Sequence, residues 1–402
     1  MTTKKKAGKK EATRIELDDQ VGRAGNLDAN GGPLTLDDTE RESAVCWLVT
    51  RGYTIPEILA EMKTRYGKAG EMSREKPYRI LRRAAARGRL RYTPPQHLVY
   101  AQQISNEYTW LNRVHVVHTT VAPDVAREAA SMLLRMVQDR HRADKNREEI
   151  HIGFAAGMSM RQVAQAFAER LRYPADDLPK KIVFHAMVTG HDSGDPTTDP
   201  NAFFTFFIYP PVLEVEPRFV GLHAPAMVRS GDIPQLKETL EIKEAYAEAE
   251  KLDIIVTSGA DWDDEHSSLC VVCTKRSPAS VKKIRALGGE VDVMWRPLGK
   301  NGPITHATEI RALTLMELTD LPGFIKRGGS VLLMLGPCGL CKRSKVKVLY
   351  TTLIQEKKLV THVVVDSRTA AHLLDIIHPQ TNGTSQYSWG PGEPAPDKKR
   401  RS

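Results

Sequence analysis

Cysteine is scarce in this chain, five in 402 residues. That is too few for a disulfide framework in a chain of this size, and a reducing compartment is the natural reading. Long apolar runs are missing too. No stretch of about 18 apolar residues occurs, which excludes a hydrophobic membrane-spanning helix. The N-terminus carries lysines with no apolar core behind them, so it is not a secretory signal, and a cytoplasmic location is expected. Enzyme signatures are equally thin. The thirteen histidines form no HExxH or HxH pattern, and no GxSxG, kinase or glycosidase pattern is present.

What the chain does have is clustered positive charge. The net charge is +9, which favours a polyanionic partner. Residues 1–10 hold five lysines, residues 74–91 hold eight Arg or Lys, and Lys398-Lys399-Arg400-Arg401 lie near the end. A length of 402 residues suits two domains better than one. Residues 1–36 and 381–402 are polar, basic and without period, and are expected to be disordered tails.

Residues 37–95 read as a DNA-binding unit. A first helix begins at Asp37–Asp38 and ends near Gly52, with Ala44, Val45, Trp47, Leu48 and Val49 as its apolar face. A second runs from Thr54 to Met62, with Thr54 as cap, Pro56 early and Glu57 at the third position. Residues 63–72 read as a basic connection, long for this motif. The third helix, capped by Ser73 and closed by Gly88, is strongly cationic. Two short helices with a cationic second member form a helix-turn-helix pattern, in which the second helix enters the major groove. Ser73, Arg74, Lys76, Tyr78, Arg79, Arg82 and Arg83 are the expected DNA-facing residues. Arg89 to Thr93 would form a wing strand.

Residues 97–380 change character. Short apolar strands at 113–118, 150–154, 181–188, 252–257, 331–335 and 360–365 alternate with helices, among them Pro123–Arg140, Met160–Leu171 and Lys345–Gln355. Strand–turn–helix units in series predict a parallel α/β sheet, whose ligands sit at the carboxyl ends of the strands. Three loops fall there. Gly153 to Ser159 could cradle an anion, although it lacks both GxGxxG and a Walker lysine. Thr189 to Gly194 is rich in donors, and Ser258 to His266 is acidic. Each could equally be an ordinary turn or solvated loop. Lys345, at a helix start on the same edge, could neutralise a phosphate or be a surface lysine.

Four of the cysteines form two pairs, Cys270-Val-Val-Cys273 and Cys338-Gly-Leu-Cys341. Two such pairs can build a structural zinc site. The second has the glycine turn of a zinc knuckle. The first, set among valines, reads as strand, where the two side chains would not converge. Structural zinc, a redox switch and ordinary thiols all stay open.

Several of these segments, in order, resemble the SorC-type (DeoR-like) sugar-binding transcriptional regulators of bacteria. Ser73-Arg74, Arg79-Ile80-Leu81 and Arg87-Gly88 resemble that family's recognition helix, and Ile152-Gly153 with Gly157-x-Ser159 its glycine loop. Thr189-Gly190, Asn201, Gly288-Gly289-Glu290-Val291-Asp292, Gly302, Lys345 and Val363-Val364-Val365-Asp366 with Thr369-Ala370 continue the likeness, from about residue 40 to 376. Pro77, the long 63–72 connection, the acidic third loop and Cys338-Gly-Leu-Cys341 depart from the pattern. The resemblance implies an α/β protein with a winged helix-turn-helix head and a parallel-sheet effector domain of sugar-phosphate-isomerase type. It implies an operator-binding regulator rather than an enzyme, a homodimer or homotetramer, and a sugar-phosphate effector. Gly153, Gly157, Ser159, Thr189, Gly190, Asp261 and Lys345 are then the expected effector contacts. The alternatives are a sugar-phosphate isomerase or hydrolase using Asp261 or Glu265 as acid/base, and a metal or thiol sensor using the cysteine pairs.

Overall fold

The computed structural model describes residues 36–86, 93–172, 175–189, 196–208, 213–305 and 308–379. Both tails, the wing segment 87–92 and the loop 190–195 lie outside the described residues, and with them Gly190. The chain divides into two compact units, Met1–Thr93 and Pro94–Ser402.

Among its described residues the first unit holds three helices, α1 (Asp38–Thr50), α2 (Ile55–Gly70) and α3 (Lys76–Ala86). Asp37 starts α1 with a capping box: its Oδ1 accepts from Thr39 N and Glu40 N, and Glu40 Oε2 accepts from Asp37 N at 3.0 Å. Thr54 and Glu57 repeat the device for α2, with Pro56 in its first turn. Val45, Leu48, Ile58, Met62 and Ile80 form the core. The segment 63–72 is not a connection. Met62 and Tyr66, one turn apart, both pack on this core and carry α2 onward to Gly70. Gly67 (φ 55°, ψ −135°) kinks it without ending it. The turn into α3 is therefore residues 71–75. Ser73 does not cap α3 either: its carbonyl accepts from Lys76 N in a tight turn ahead of the helix. Pro77 then falls in the first helical turn, where its missing N–H costs nothing.

The second unit is built on a seven-stranded sheet of β1 (Arg113–Val117), β2 (Glu149–Phe154), β3 (Lys181–Ala186), β4 (Glu216–Val220), β6 (Ile254–Thr257), β12 (Ser330–Leu335) and β13 (His362–Asp366). The order is β1-β13-β12-β6-β2-β3-β4, and every pairing is parallel. Near-continuous apolar runs such as Ile254-Ile255-Val256 and Val363-Val364-Val365 are buried throughout, as strands covered on both faces require. Helix α5 (Ala122–Ala143) buries Val125, Ala129, Met132, Leu133 and Met136, one stripe of its surface, and packs on α6 (Met158–Arg170). Helices α4 (Leu98–Glu107), α14 (Val346–Leu353) and α15 (Ser367–Ile377) form a second group, α15 touching both others.

Beside this layer, β7 (Gly259–Asp261), β8 (Gly289–Val293), β9 (Arg296–Gly299) and β10 (Gly302–Pro303) make an antiparallel sheet, and β5 (Val228–Arg229) pairs with β11 (Ile310–Arg311). The remaining helices are α7 (Pro200–Phe203), α8 (Thr205–Ile208), α9 (Ile233–Lys237), α10 (Leu240–Ala249), α11 (Ser268–Arg276), α12 (Pro278–Ala286) and α13 (Leu321–Lys326). The first cysteine pair lies on α11, not on a strand. Ser267 caps that helix by accepting from Cys270 N, and its apolar face, with Leu269 and Val272, joins a core around Trp262 and Trp295. That core is the tertiary reason a valine-rich segment is helical here.

Candidate functional site

Strand order decides where a ligand can enter. From β2 the chain proceeds outward through β3 and β4. It then returns to place β6 on the other side of β2 and continues through β12 and β13. The loops leaving β2 and β6 therefore diverge, and an open α/β sheet has its crevice at such a switch point. A cavity of about 410 Å³ lies there. It is walled by Gly157, Met158 and Ser159 at the start of α6, by Ser258 and Gly259 after β6, and by Pro337 to Leu340 and Lys345 after β12.

Each wall has a local cause. Gly157 precedes α6 at φ 113° and ψ 163°, a conformation essentially restricted to glycine. Met158 and Ser159, whose amides have no intrahelical acceptor, line the cavity. Lys345 caps α14, and its Nζ lies 3.5 Å from Ser258 Oγ. Burial holds the Lys345 ammonium below its ordinary pKa, against the pull of Asp292. Asp292, on β8, is pushed up to about 7 by burial, and it accepts from Ser267 Oγ at 3.3 Å. Asp366 beneath the same edge is raised to about 6, again by burial, while capping α15 through Thr369. Met294 and Trp295, the two residues between β8 and β9, both have positive φ (55° and 57°). A two-residue hairpin turn with that twist normally takes Asn or Gly; here it presents Trp295 to the cavity.

Gly157, Ser159 and Lys345 thus line the cavity, together with Thr198, Asp264, His266, Asp292 and Trp295, which sequence reasoning had not singled out as contacts. Three expected contacts do not line it. Gly153 is inside β2, where a Cβ would come within 2.3 Å of Met187 Sδ, so its role is strand packing. Thr189 is buried; its N–H donates to Leu313 O at 3.0 Å and its hydroxyl to Pro225 O at 3.2 Å. Asp261 pairs with Lys347 at 3.3 Å. Glu265, the other acid weighed for catalysis, points to solvent, its side chain 85% exposed.

The cysteine pairs do not meet as one site. Cys338 and Cys341 cluster with Asp264 and His266. Cys270 and Cys273 stay in the Trp262 core, and burial pushes the Cys273 thiol up to about 12.

In the first unit, α3 turns Pro77, Ile80 and Ala84 inward. Tyr78 and Arg79, and Arg82 one turn on, are exposed, as are Ser73 and Arg74 in the preceding turn. Lys76 is half-buried. Arg83 faces the other way: its Nε donates to the fully buried Glu42 at 2.9 Å, and Nη1 lies 3.5 Å from Asp38. It braces α3 on α1, so this residue, expected to face DNA, is engaged within the unit.

No family profile matches the sequence, and no curated protein matches it. The solved structures do share its fold. Several of them are transcriptional regulators or the sugar-binding domain of one. A DeoR-family transcriptional regulator from Listeria monocytogenes aligns with TM-score 0.51 and 17% identity over 69% of this chain and 99% of its own. The putative sugar-binding domain of a transcriptional repressor from Vibrio fischeri aligns with TM-score 0.52 and 13% identity, over 70% and 99%. The full-length sorbitol operon regulator SorC from Klebsiella pneumoniae reaches TM-score 0.56 at 16% identity, over 84% of this chain and 99% of that one. The protein has the fold of the SorC-type regulators.

Proposed function

We propose that this protein is a DNA-binding transcriptional regulator, not an enzyme, whose α/β unit binds a phosphorylated sugar or related polyhydroxylated anion that modulates operator binding. The observation that carries the reading is the cavity at the β2–β6 switch point. There the start of α6 and Lys345 offer donors to an anionic group, and Asp292 offers acceptors to hydroxyls. The fold shared with SorC and its relatives supports the regulator half, and the exposed face of Arg74, Tyr78, Arg79 and Arg82 supports α3 as the reading helix of a helix-turn-helix. Half-sites on double-stranded DNA call for two-fold symmetry, hence a homodimer or homotetramer. The effector acts by favouring one arrangement of subunits over another.

The test is a thermal-stability panel of sugar phosphates and free sugars. A ligand at a hundred times its dissociation constant stabilises by about 2.7 kcal/mol, and Lys345→Ala removes that shift. The same ligand changes affinity for operator DNA. A panel without a single shift sinks the effector half. For the DNA half, Arg79→Ala and Arg82→Ala weaken binding, and each lost phosphate contact flattens the log–log salt dependence by about 0.9; unchanged affinity and slope sink it.

A further inference from the structure

We infer that Asp264, His266, Cys338 and Cys341 form a binding site for a zinc-class divalent cation. The four come from the loop after β7 and the loop after β12, and their ligand atoms all lie within 4.8 Å of one another. Cys338 Sγ is 3.6 Å from His266 Nδ1, His266 Nδ1 is 3.2 Å from Asp264 Oδ1, and Cys341 Sγ is 4.0 Å from that oxygen. A tetrahedral zinc ion, with bonds of about 2.3 Å to sulfur and 2.0–2.1 Å to nitrogen or oxygen, sets its ligand atoms about 3.6 Å apart for sulfur–nitrogen and sulfur–oxygen edges and about 3.4 Å for nitrogen–oxygen. The three contacts given above depart from these by up to about 0.4 Å, and all four ligand atoms lie within 4.8 Å of one another.

The donor set points to the ion. Two sulfurs, an imidazole and one carboxylate oxygen suit zinc and its soft neighbours, whereas magnesium and calcium take oxygen. The backbone is arranged to match. Cys338 N donates to Arg343 O and Lys342 N to Cys338 O, folding the Cys338–Cys341 segment into a tight turn. Lys342 closes it at φ 59°, unusual for a non-glycine residue. On the other loop, Asp264 Oδ1 accepts from His266 N at 3.0 Å, which fixes carboxylate and imidazole side by side. Asp264 is buried, and its ion-pair partner among the described residues is His266 alone. Adjacency of β6 and β12 brings the two loops together. Because Asp264, His266 and Cys338 also wall the cavity, a bound ion would pin that wall. Metal binding itself does not depend on the regulator reading.

The experiment uses the reduced, chelator-stripped full chain and the metal alone. Cobalt(II) is titrated to read the tetrahedral d–d bands and the sulfur charge-transfer band, and zinc(II) against a chromophoric chelator to read affinity. One equivalent per chain is expected with both spectroscopic signatures. Cys341→Ser, at an exposed position, should weaken binding at least about tenfold, the loss that even an outer partner of a metal ligand causes, and diminish the charge-transfer band. Cys270→Ala, at a cysteine outside the cluster, should leave both unchanged. X-ray absorption of the zinc-loaded wild type needs no variant, and should find two sulfur and two nitrogen or oxygen neighbours. No cobalt uptake by the reduced protein, a shell without sulfur, or binding indifferent to Cys341→Ser would overturn the site. The cysteines would then be a dithiol pair.

Discussion

The two edges of the seven-stranded sheet treat buried charge in opposite ways. At the amino edge, Asp253 is nearly inaccessible but fully engaged. It pairs with Arg147 at 2.6 Å and Arg140 at 3.4 Å, and accepts from His151 N at 2.9 Å. His362, at the start of β13, is buried against Thr361 Oγ1 at 2.8 Å, and burial, aided by Arg113, brings it down to about 4. Beside the carboxyl edge, Asp292 of the antiparallel sheet and Lys345 have few fixed partners and border the cavity. Closed networks hold a fold together, and perturbed groups beside a cavity are available for a ligand.

The largest expected effect separates the edges by pH. Asp292 is at about 7 in the folded chain and near 3.9 when unfolded. Between those values only the folded state holds its proton, so stability falls as pH rises, by up to about 4 kcal/mol. Asp292→Asn should remove that loss in denaturant titrations from pH 4 to 8. His362 does the reverse. Its folded value near 4 lies below the unfolded 6.5, so it costs stability as pH drops from 6.5 to 4, by about 3 kcal/mol. His362→Gln should flatten that acid limb. If both substitutions bend the profile the same way, the contrast between the edges is wrong.

Asp253→Asn comes next. It leaves two arginines facing a neutral amide and should cost about 3 kcal/mol of stability, while leaving any effector-induced shift intact. Loss of the effector shift in this variant would mean the amino edge is coupled to the cavity. The smallest effect is Gly157→Ala. No neighbour lies within 4 Å of the added Cβ, so the penalty is backbone strain alone, about 2 kcal/mol. It should appear with a weakened ligand response. A neutral result would mean that the loop relaxes easily and that its glycine is not needed for the cavity.

Much of this protein was legible in sequence because the signals are local. Asp37 with Glu40 and Thr54 with Glu57 mark helix starts within four residues, and the runs Ile254–Val256 and Val363–Val365 declare buried strands without reference to anything distant. The same reach explains the errors. Residues 63–72 look like a basic connection until Tyr66 is seen to pack on the head core, and valines around Cys270 look like strand until Trp262 and Trp295 supply a surface for a helix.

By itself, then, the sequence determined the alternation of strand and helix, the parallel α/β class, the cationic face of α3 and the glycine loop ahead of α6. Each depends on spacing along a few turns of chain. Only the tertiary structure decided that Arg83 braces Glu42, that Lys345 shares a cavity with Asp292, and that Cys338 and Cys341 stand with Asp264 and His266 rather than with Cys270 and Cys273. Those meetings follow from the order β12-β6-β2, which sets loops far apart in sequence side by side, and no local periodicity encodes which strands become neighbours.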